Sequence, residues 1–248
     1  PQILAGLASF TRSGEMGIIS HYNIQPEVDI YGAVDGSDLG SVDRSMEPII
    51  ADMNKHAPPG TSAVIRGQIQ TMNSSFIGLL GGLVFSILLV YLLIVVNFQS
   101  WLDPFIILMA LPAALAGIVW FLFITSTTIS VPALTGAIMC MGVATANSIL
   151  VVSFSKEKLE AGKTPTEAAL EAGFTRFRPV LMTALAMIIG MLPMSLGMGE
   201  GGEQNAPLGR AVIGGLLFAT MATLFFVPVF FSVVHSRKRD RENEATAE

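Results

Sequence analysis

Cysteine is all but missing from this chain, Cys140 being the single one, so no internal disulfide and no thiolate metal cluster can form. The redox compartment is left open. Histidine is almost as scarce: His21, His56 and His235 stand at no metal-ligand spacing. Charge is short too. Asp, Glu, Lys and Arg make up 13% of the 248 residues, about half the ~25% of an ordinary soluble domain. With 52% hydrophobic residues and a mean hydropathy of +0.62, a purely soluble fold does not fit. A net charge of −5 supplies no basic footprint, which sets a nucleic-acid partner aside. Also absent are an initiator Met, a basic n-region and a cleavage site, and a chain opening Pro1-Gln2-Ile3-Leu4 reads as the C-terminal piece of something longer.

What is present is apolar sequence in long runs. Asp103 is the only charge between Phe76 and Ser155, and there is none from Pro179 to Gly199 or from Ala211 to Ser236. Crossing about 30 Å of hydrocarbon takes about 20 apolar residues. Five runs reach that length: Phe76–Val96, Pro104–Phe123, Ile129–Phe154, Pro179–Met198 and Leu208–Val234. The expected fold is therefore a membrane all-α bundle of five transmembrane helices over residues 76–236, with a tail at 237–248. Lys156, Lys158, Lys163, Arg176 and Arg178 flank one connector, and Arg237, Lys238, Arg239 and Arg241 follow the last run. Only Arg210 stands opposite, so connector and tail are expected in the cytoplasm and the N-terminal segment on the outer face.

Residues 1–75 read as a partial α/β segment. Val28–Val34 alternates like a strand and stops at Asp35-Gly36, and Ser62–Arg66 could be a second strand. Between them Asp38 can cap a helix with apolar positions Leu39, Val42, Met46, Ile49, Ile50 and Met53, ended by Ala57-Pro58-Pro59-Gly60. Such a piece cannot bury a core alone and needs partners outside this sequence. In the connector, Thr164-Pro165-Thr166-Glu167 is a capping box whose helix should end near Gly173.

No run holds a carboxylate or histidine in its interior, which removes a carboxylate proton relay within this sequence and argues against a metal-dependent intramembrane enzyme. The third run carries Gly136, Cys140, Ala144 and Ser148 at every fourth position, a stripe of small residues suited to close helix packing. Beside it stands Asn147, whose amide needs a polar partner in the bundle; interhelical adhesion and a place in a proton or ion pathway both stay open. Arg176 and Thr183, seven residues apart, share a face if the helix runs through Pro179. Arg176 then points inward toward a buried anion, or else it anchors the span at the headgroups as Arg178 does. Pro112, Pro193 and Pro228 lie within runs as candidate kinks.

Four strings go further than composition. Asn97-Phe98-Gln99-Ser100, Gly142-Val143-Ala144 with Asn147-Ser148-Ile149-Leu150, Arg176-Phe177-Arg178-Pro179-Val180-Leu181-Met182-Thr183, and Pro207-Leu208-Gly209-Arg210-Ala211-Val212-Ile213-Gly214-Gly215 together resemble the last membrane half of a resistance–nodulation–division efflux permease. The likeness runs from about Gln25 to the end. It implies an inner-membrane subunit, not an enzyme, with these as the last of its spans and residues 1–75 closing a periplasmic porter region. Such permeases resemble one another in working as homotrimers that exchange protons for substrate, with a periplasmic adaptor and an outer-membrane channel. The resemblance also maps Arg176, Thr183 and Asn147 onto positions near the family's coupling carboxylates, which lie on a span outside this sequence. One departure is clear: Ala146 occupies the place of the family's relay lysine. Drugs or other organic compounds are the expected substrates. Metal-ion efflux is the alternative that the 13 methionines could serve, although Met139, Met141, Met182, Met187, Met191 and Met194 suit core filling. A protein-export or lipid-handling member of the superfamily is a further one.

Overall fold

The computed structural model describes residues 8, 9, 11, 12, 14, 17–35, 37–199 and 201–245. Gly36 of the expected turn and the opening Pro1–Leu4 lie outside them. The chain divides into two compact units, Pro1–Ser62 and Ala63–Glu248.

The first unit holds a two-stranded hairpin, β1 (Ser20–Tyr22) against β2 (Gln25–Glu27), antiparallel with Ser20 opposite Glu27. Its two-residue turn places Asn23 and Ile24 at φ 47° and 71°, as the tight turns that match strand twist require. Helix α1 (Leu39–His56) follows. Asp38 caps it, Oδ2 accepting from the Ser41 N–H at 2.9 Å, and its hydrogen bonds with Ser41, the largest cause, hold the carboxyl below its ordinary range. The expected strands at Val28–Val34 and Ser62–Arg66 do not form. Val28, Ile30 and Tyr31 are exposed, and an extended segment with no neighbour to complete its ladder has nothing to hold it as a strand. The apolar face of α1 is present but buries no residue.

The second unit is helical: α2 (Gln68–Phe98), α3 (Leu102–Leu108), α4 (Ala110–Ile124), α5 (Val131–Glu160), α6 (Pro165–Ser195), α7 (Gly202–Met221), a π-helical turn (Ala222–Phe226) and α8 (Val227–Ala245). Taking α3 with α4, and α7 with the π-turn and the start of α8, five helices among the described residues are long and apolar enough to cross a membrane. Half of the apolar window of α5 is buried against 11% for α2 and for α6, so α5 is interior and the other two present open apolar faces.

Two prolines shape the breaks. Pro112 lacks the N–H that would bond the carbonyl four residues back, and the helix is interrupted at Met109 between α3 and α4. Ahead of Pro228 the chain widens into the π-turn, where the Val227 N–H reaches the Ala222 carbonyl. At the connector the Thr164 capping box forms, with Thr164 Oγ1 accepting from the Glu167 N–H and Glu167 Oε2 from the Thr164 N–H, both at 3.3 Å. The helix it starts does not end near Gly173. It runs on through Pro179 to Ser195, because a proline removes one backbone bond only and the Thr175 carbonyl it orphans belongs to an exposed residue that solvent can satisfy.

Helix α7 crosses α4, α5 and α6 at glycines that admit no side chain. A Cβ on Gly117 of α4 would stand 2.6 Å from the Gly214 carbonyl oxygen, and one on Gly214 would stand 2.7 Å from that of Gly117. On α5, a Cβ at Gly136 would meet the Leu208 carbonyl at 2.7 Å, while one at Gly215 would meet Cys140 Sγ at 2.5 Å. Helix α6 meets Gly209, where an added Cβ would come 2.8 Å from the Ser195 nitrogen. Two apolar clusters result. One joins Leu111, Ala114, Ala137, Ala144, Val212 and Leu216; the other gathers Ile94, Ile106, Val151, Val180, Val227 and Phe231 around the opposite ends of the same helices.

Candidate functional site

Between those two clusters lies a layer of polar side chains. Asn147, buried on α5, has its Oδ1 3.3 Å from Thr183 Oγ1 of α6, a hydroxyl whose one proton is shared between that amide oxygen and the Val180 carbonyl of its own helix at 2.9 Å. One residue on, and so turned about 100° round the helix, Ser148 Oγ stands 3.0 Å from Thr223 Oγ1 of the π-turn, and both residues are wholly buried. The layer thus crosses from α6 through α5 to the last span. Its α6 end is open: Thr183 is exposed, and Ala146, beside Asn147, is exposed as well.

Arg176 lies seven residues before Thr183 on α6, on the same face, and does not join that layer. Its guanidinium carbon sits 4.8 Å from the ring centroid of Phe154 on α5, a cation–π contact, and its Nε is buried with no hydrogen-bond partner. Lys158 Nζ approaches the same ring at 5.0 Å and pairs with Glu171 at 3.0 Å, and Lys163 also pairs with Glu171. Arg178 is exposed, as its 160° offset from Arg176 requires. Structure therefore brings Asn147 and Thr183 together and holds Arg176 apart from both. The stripe residues Gly136, Ala144 and Ser148 are all buried, the first against Leu208 and the last against Thr223.

A second polar cluster escaped the sequence reading. Asp103, which stands out in the sequence only as the single charge between Phe76 and Ser155, lies in the first turn of α3 and is 2% exposed. Lys156 Nζ of α5 stands 3.6 Å from its Oδ2 and donates to the Phe98 carbonyl at 3.1 Å, while His235 Nε2 of α8 stands 3.4 Å from Oδ1. His235 stacks on Phe231, with ring centroids 4.1 Å apart. The signal was a single carboxylate in a charge-free stretch directly before a proline; its partners lie too far along the chain to be paired by spacing. At the other end of the bundle Arg210 reaches the Ser195 carbonyl at 3.0 Å and Thr127 Oγ1 at 2.6 Å. It lines a mostly apolar cavity of about 420 Å³ with Phe121, Thr125, Leu192, Leu196 and Ile213. Among the described residues no cluster of three His, Cys, Asp or Glu could hold a metal ion.

The sequence model of the AcrB/AcrD/AcrF family matches residues 3–235. This chain belongs to that family. It is thereby a piece of a resistance–nodulation–division permease, a family of transporters rather than enzymes. It is 34% identical over 242 residues to the nickel-cobalt-cadmium resistance protein NccA of Alcaligenes xylosoxydans xylosoxydans, covering 96% of this chain and 22% of that protein. To the multidrug resistance protein MdtF of Escherichia coli K12 it is 33% identical over 219 residues, 87% of this chain and 21% of that one. A crystal structure of a heavy metal efflux pump superposes with a TM-score of 0.66 at 28% identity, over 82% of this chain and 20% of that chain. The chain thus spans about a fifth of the length of these permeases. Relatives of both metal and multidrug type match it comparably well.

Proposed function

We propose that this permease is a proton-driven exporter of drugs or other organic compounds, and that Arg176, Thr183 and Asn147 belong to its coupling site. The observation carrying this reading is the Asn147–Thr183 hydrogen bond at the open edge of the bundle. A buried amide tied to an exposed hydroxyl costs free energy against hydrocarbon unless further polar groups meet it. Arg176, with a buried guanidinium nitrogen unpaired one helical stretch away, is the cation this segment offers to carboxylates on the remainder of the permease. An opposite charge nearby favours their ionised form, so movement that separates the groups favours protonation. Ala146 cannot take that part. The reading includes a homotrimer in the bacterial inner membrane, a periplasmic N-terminal segment, a cytoplasmic C-terminus, a periplasmic adaptor and an outer-membrane channel. Gly136, Ala144 and Ser148 serve as the packing stripe that seats α5 on α7 and the π-turn after it.

The test is made in the full-length protein. Arg176→Ala is expected to abolish dye efflux at normal membrane abundance, and Arg178→Lys to leave it near wild type. An Arg176→Ala variant that still pumps would reduce this residue to an anchor and move coupling elsewhere. Metal-ion export is the second reading, favoured by the 34% identity to NccA. Resistance of an efflux-deficient host to nickel, cobalt and cadmium, set beside resistance to dyes and detergents, separates the two.

A further inference from the structure

The π-turn at Ala222–Phe226 has a chemical consequence at Thr223. The Val227 N–H, which would bond the Thr223 carbonyl in an α-helix, goes to Ala222 instead. The next donor along would be residue 228, a proline with no N–H. The Thr223 carbonyl is therefore left without a donor from its own helix. Its hydroxyl is free as well: where Thr145, Ser155 and Thr220 each bond a carbonyl four residues back, the hydroxyls of Thr223 and Ser148 turn to each other across the interface. This takes place between the two apolar clusters, at the level of Asn147 and Thr183. Beyond the turn, α8 is seated by Thr166 Oγ1 on Ser232 Oγ at 3.1 Å and by the His235–Asp103 pair.

A π-turn is a one-residue insertion in an α-helix, and such turns are frequent at functional sites. Phe225 and Phe226 point outward from it while Ala222 and Thr223 are buried, so the extra residue is accommodated on the exposed side and the inward face gains the freed groups. We propose that the π-turn is a positioning device for transport. By setting the register in which the Thr223 hydroxyl faces Ser148, it fixes Ser148, and through Ser148 the adjacent Asn147 amide, at the level where Thr183 is met. Thr223 and Ser148 are positioning residues, and the turn is the compliant element through which a change at Asn147–Thr183 reaches α8. This rests on the coupling reading given above.

The experiment uses full-length permease with Cys140→Ala. Thr223→Val removes the hydroxyl at constant shape, Thr223→Ser restores it, and deletion of Phe225 takes out the inserted residue while leaving every later side chain on its own face. A Thr166→Cys/Ser232→Cys cross-link reports whether α8 keeps its seat. Expected is at least a tenfold fall in dye efflux, with a flattened dependence on the imposed pH gradient, for Thr223→Val and for the deletion, the cross-link and membrane abundance staying as in wild type and Thr223→Ser pumping normally. Wild-type efflux in either impaired variant, or loss of the cross-link in both, overturns the proposal. Asn147→Ala and Arg176→Ala run alongside: if they too pump normally, the coupling reading itself has failed, whereas if they are inactive while the π-turn variants pump, only the positioning device has.

Discussion

Glycine-to-alanine exchange should have opposite signs at two places in this bundle. At Gly117 the new Cβ would lie 2.5 Å from Phe218 Cβ and 2.6 Å from the Gly214 carbonyl oxygen, where ordinary contact begins at 3.4 Å. The second neighbour is backbone and cannot rotate away, so α4 and α7 must part by about 0.8 Å along their crossing, and overpacking of this kind costs about 1–3 kcal/mol. Alanine's better helix propensity returns about 1 kcal/mol, leaving a net loss of about 1 kcal/mol. Gly142 of α5 has nothing within 4 Å of its added Cβ, so there the propensity term stands alone and the change is a gain of up to about 1 kcal/mol. Equilibrium unfolding of the 248-residue chain in mixed micelles, read by far-UV circular dichroism, measures both. Gly214→Ala should add less on top of Gly117→Ala than it costs alone, since one separation of the helices makes room for both methyl groups. If Gly117→Ala matches Gly142→Ala in stability, the close crossing is not what joins α4 to α7 and the reasoning is refuted.

Two other perturbations give separable outcomes. Asp103→Asn leaves Lys156 without its counter-charge; the lysine side chain is 32% exposed, so the loss should fall below the 3–5 kcal/mol typical of a fully buried pair, at about 2 kcal/mol. Asp103→Asn/Lys156→Gln should cost less than the sum of its single changes, and strict additivity in a double-mutant cycle would mean the pair does not interact. For topology, single cysteines in a Cys140→Ala background should be labelled from outside at Gln204 and spared at Lys163 and Arg239; labelling at 163 would invert the assigned orientation.

Features with local causes were legible in the sequence. The Thr164 capping box and the Asp38 cap are each closed within three residues, and the five spans follow from run lengths that any bilayer-crossing helix must meet. Legibility failed where the cause lies elsewhere in the chain. Val28–Val34 has the alternation of a strand but no neighbouring strand among the described residues, and alternation only describes a surface that something else must cover. Gly173 looked like a stop, yet the helix begun at Pro165 continues because the next apolar stretch is in register with it. Asp103 meets Lys156 and His235, 53 and 132 residues further on, and no spacing rule reaches that far. Pro228 was legible as an irregularity, but not that it would take the form of a π-turn whose threonine faces Ser148. At the candidate site, the shared face of Arg176 and Thr183 followed from helical periodicity, while the partner of Asn147 could only be seen once α5 and α6 were side by side.

Pro179 leaves α6 with a joint. The proline itself stands between Arg176 and Thr183, about 4.5 Å past the one and 6 Å short of the other along the axis, and the bond it removes would have reached back to the Thr175 carbonyl. Flexure there costs less than at any fully bonded turn of the same helix. Guanidinium and hydroxyl are thus carried on two limbs of one rod, and bowing the rod toward or away from α5 would open or close the distance between them while Thr183 stays on Asn147. A ten-degree bow displaces the guanidinium, several ångströms from the pivot, by roughly 1 Å, enough to make or lose a hydrogen bond. The gap between the two groups can then be altered by a shift at the α6 edge of the second apolar cluster, where Ala169 and Val180 stand on either side of the proline.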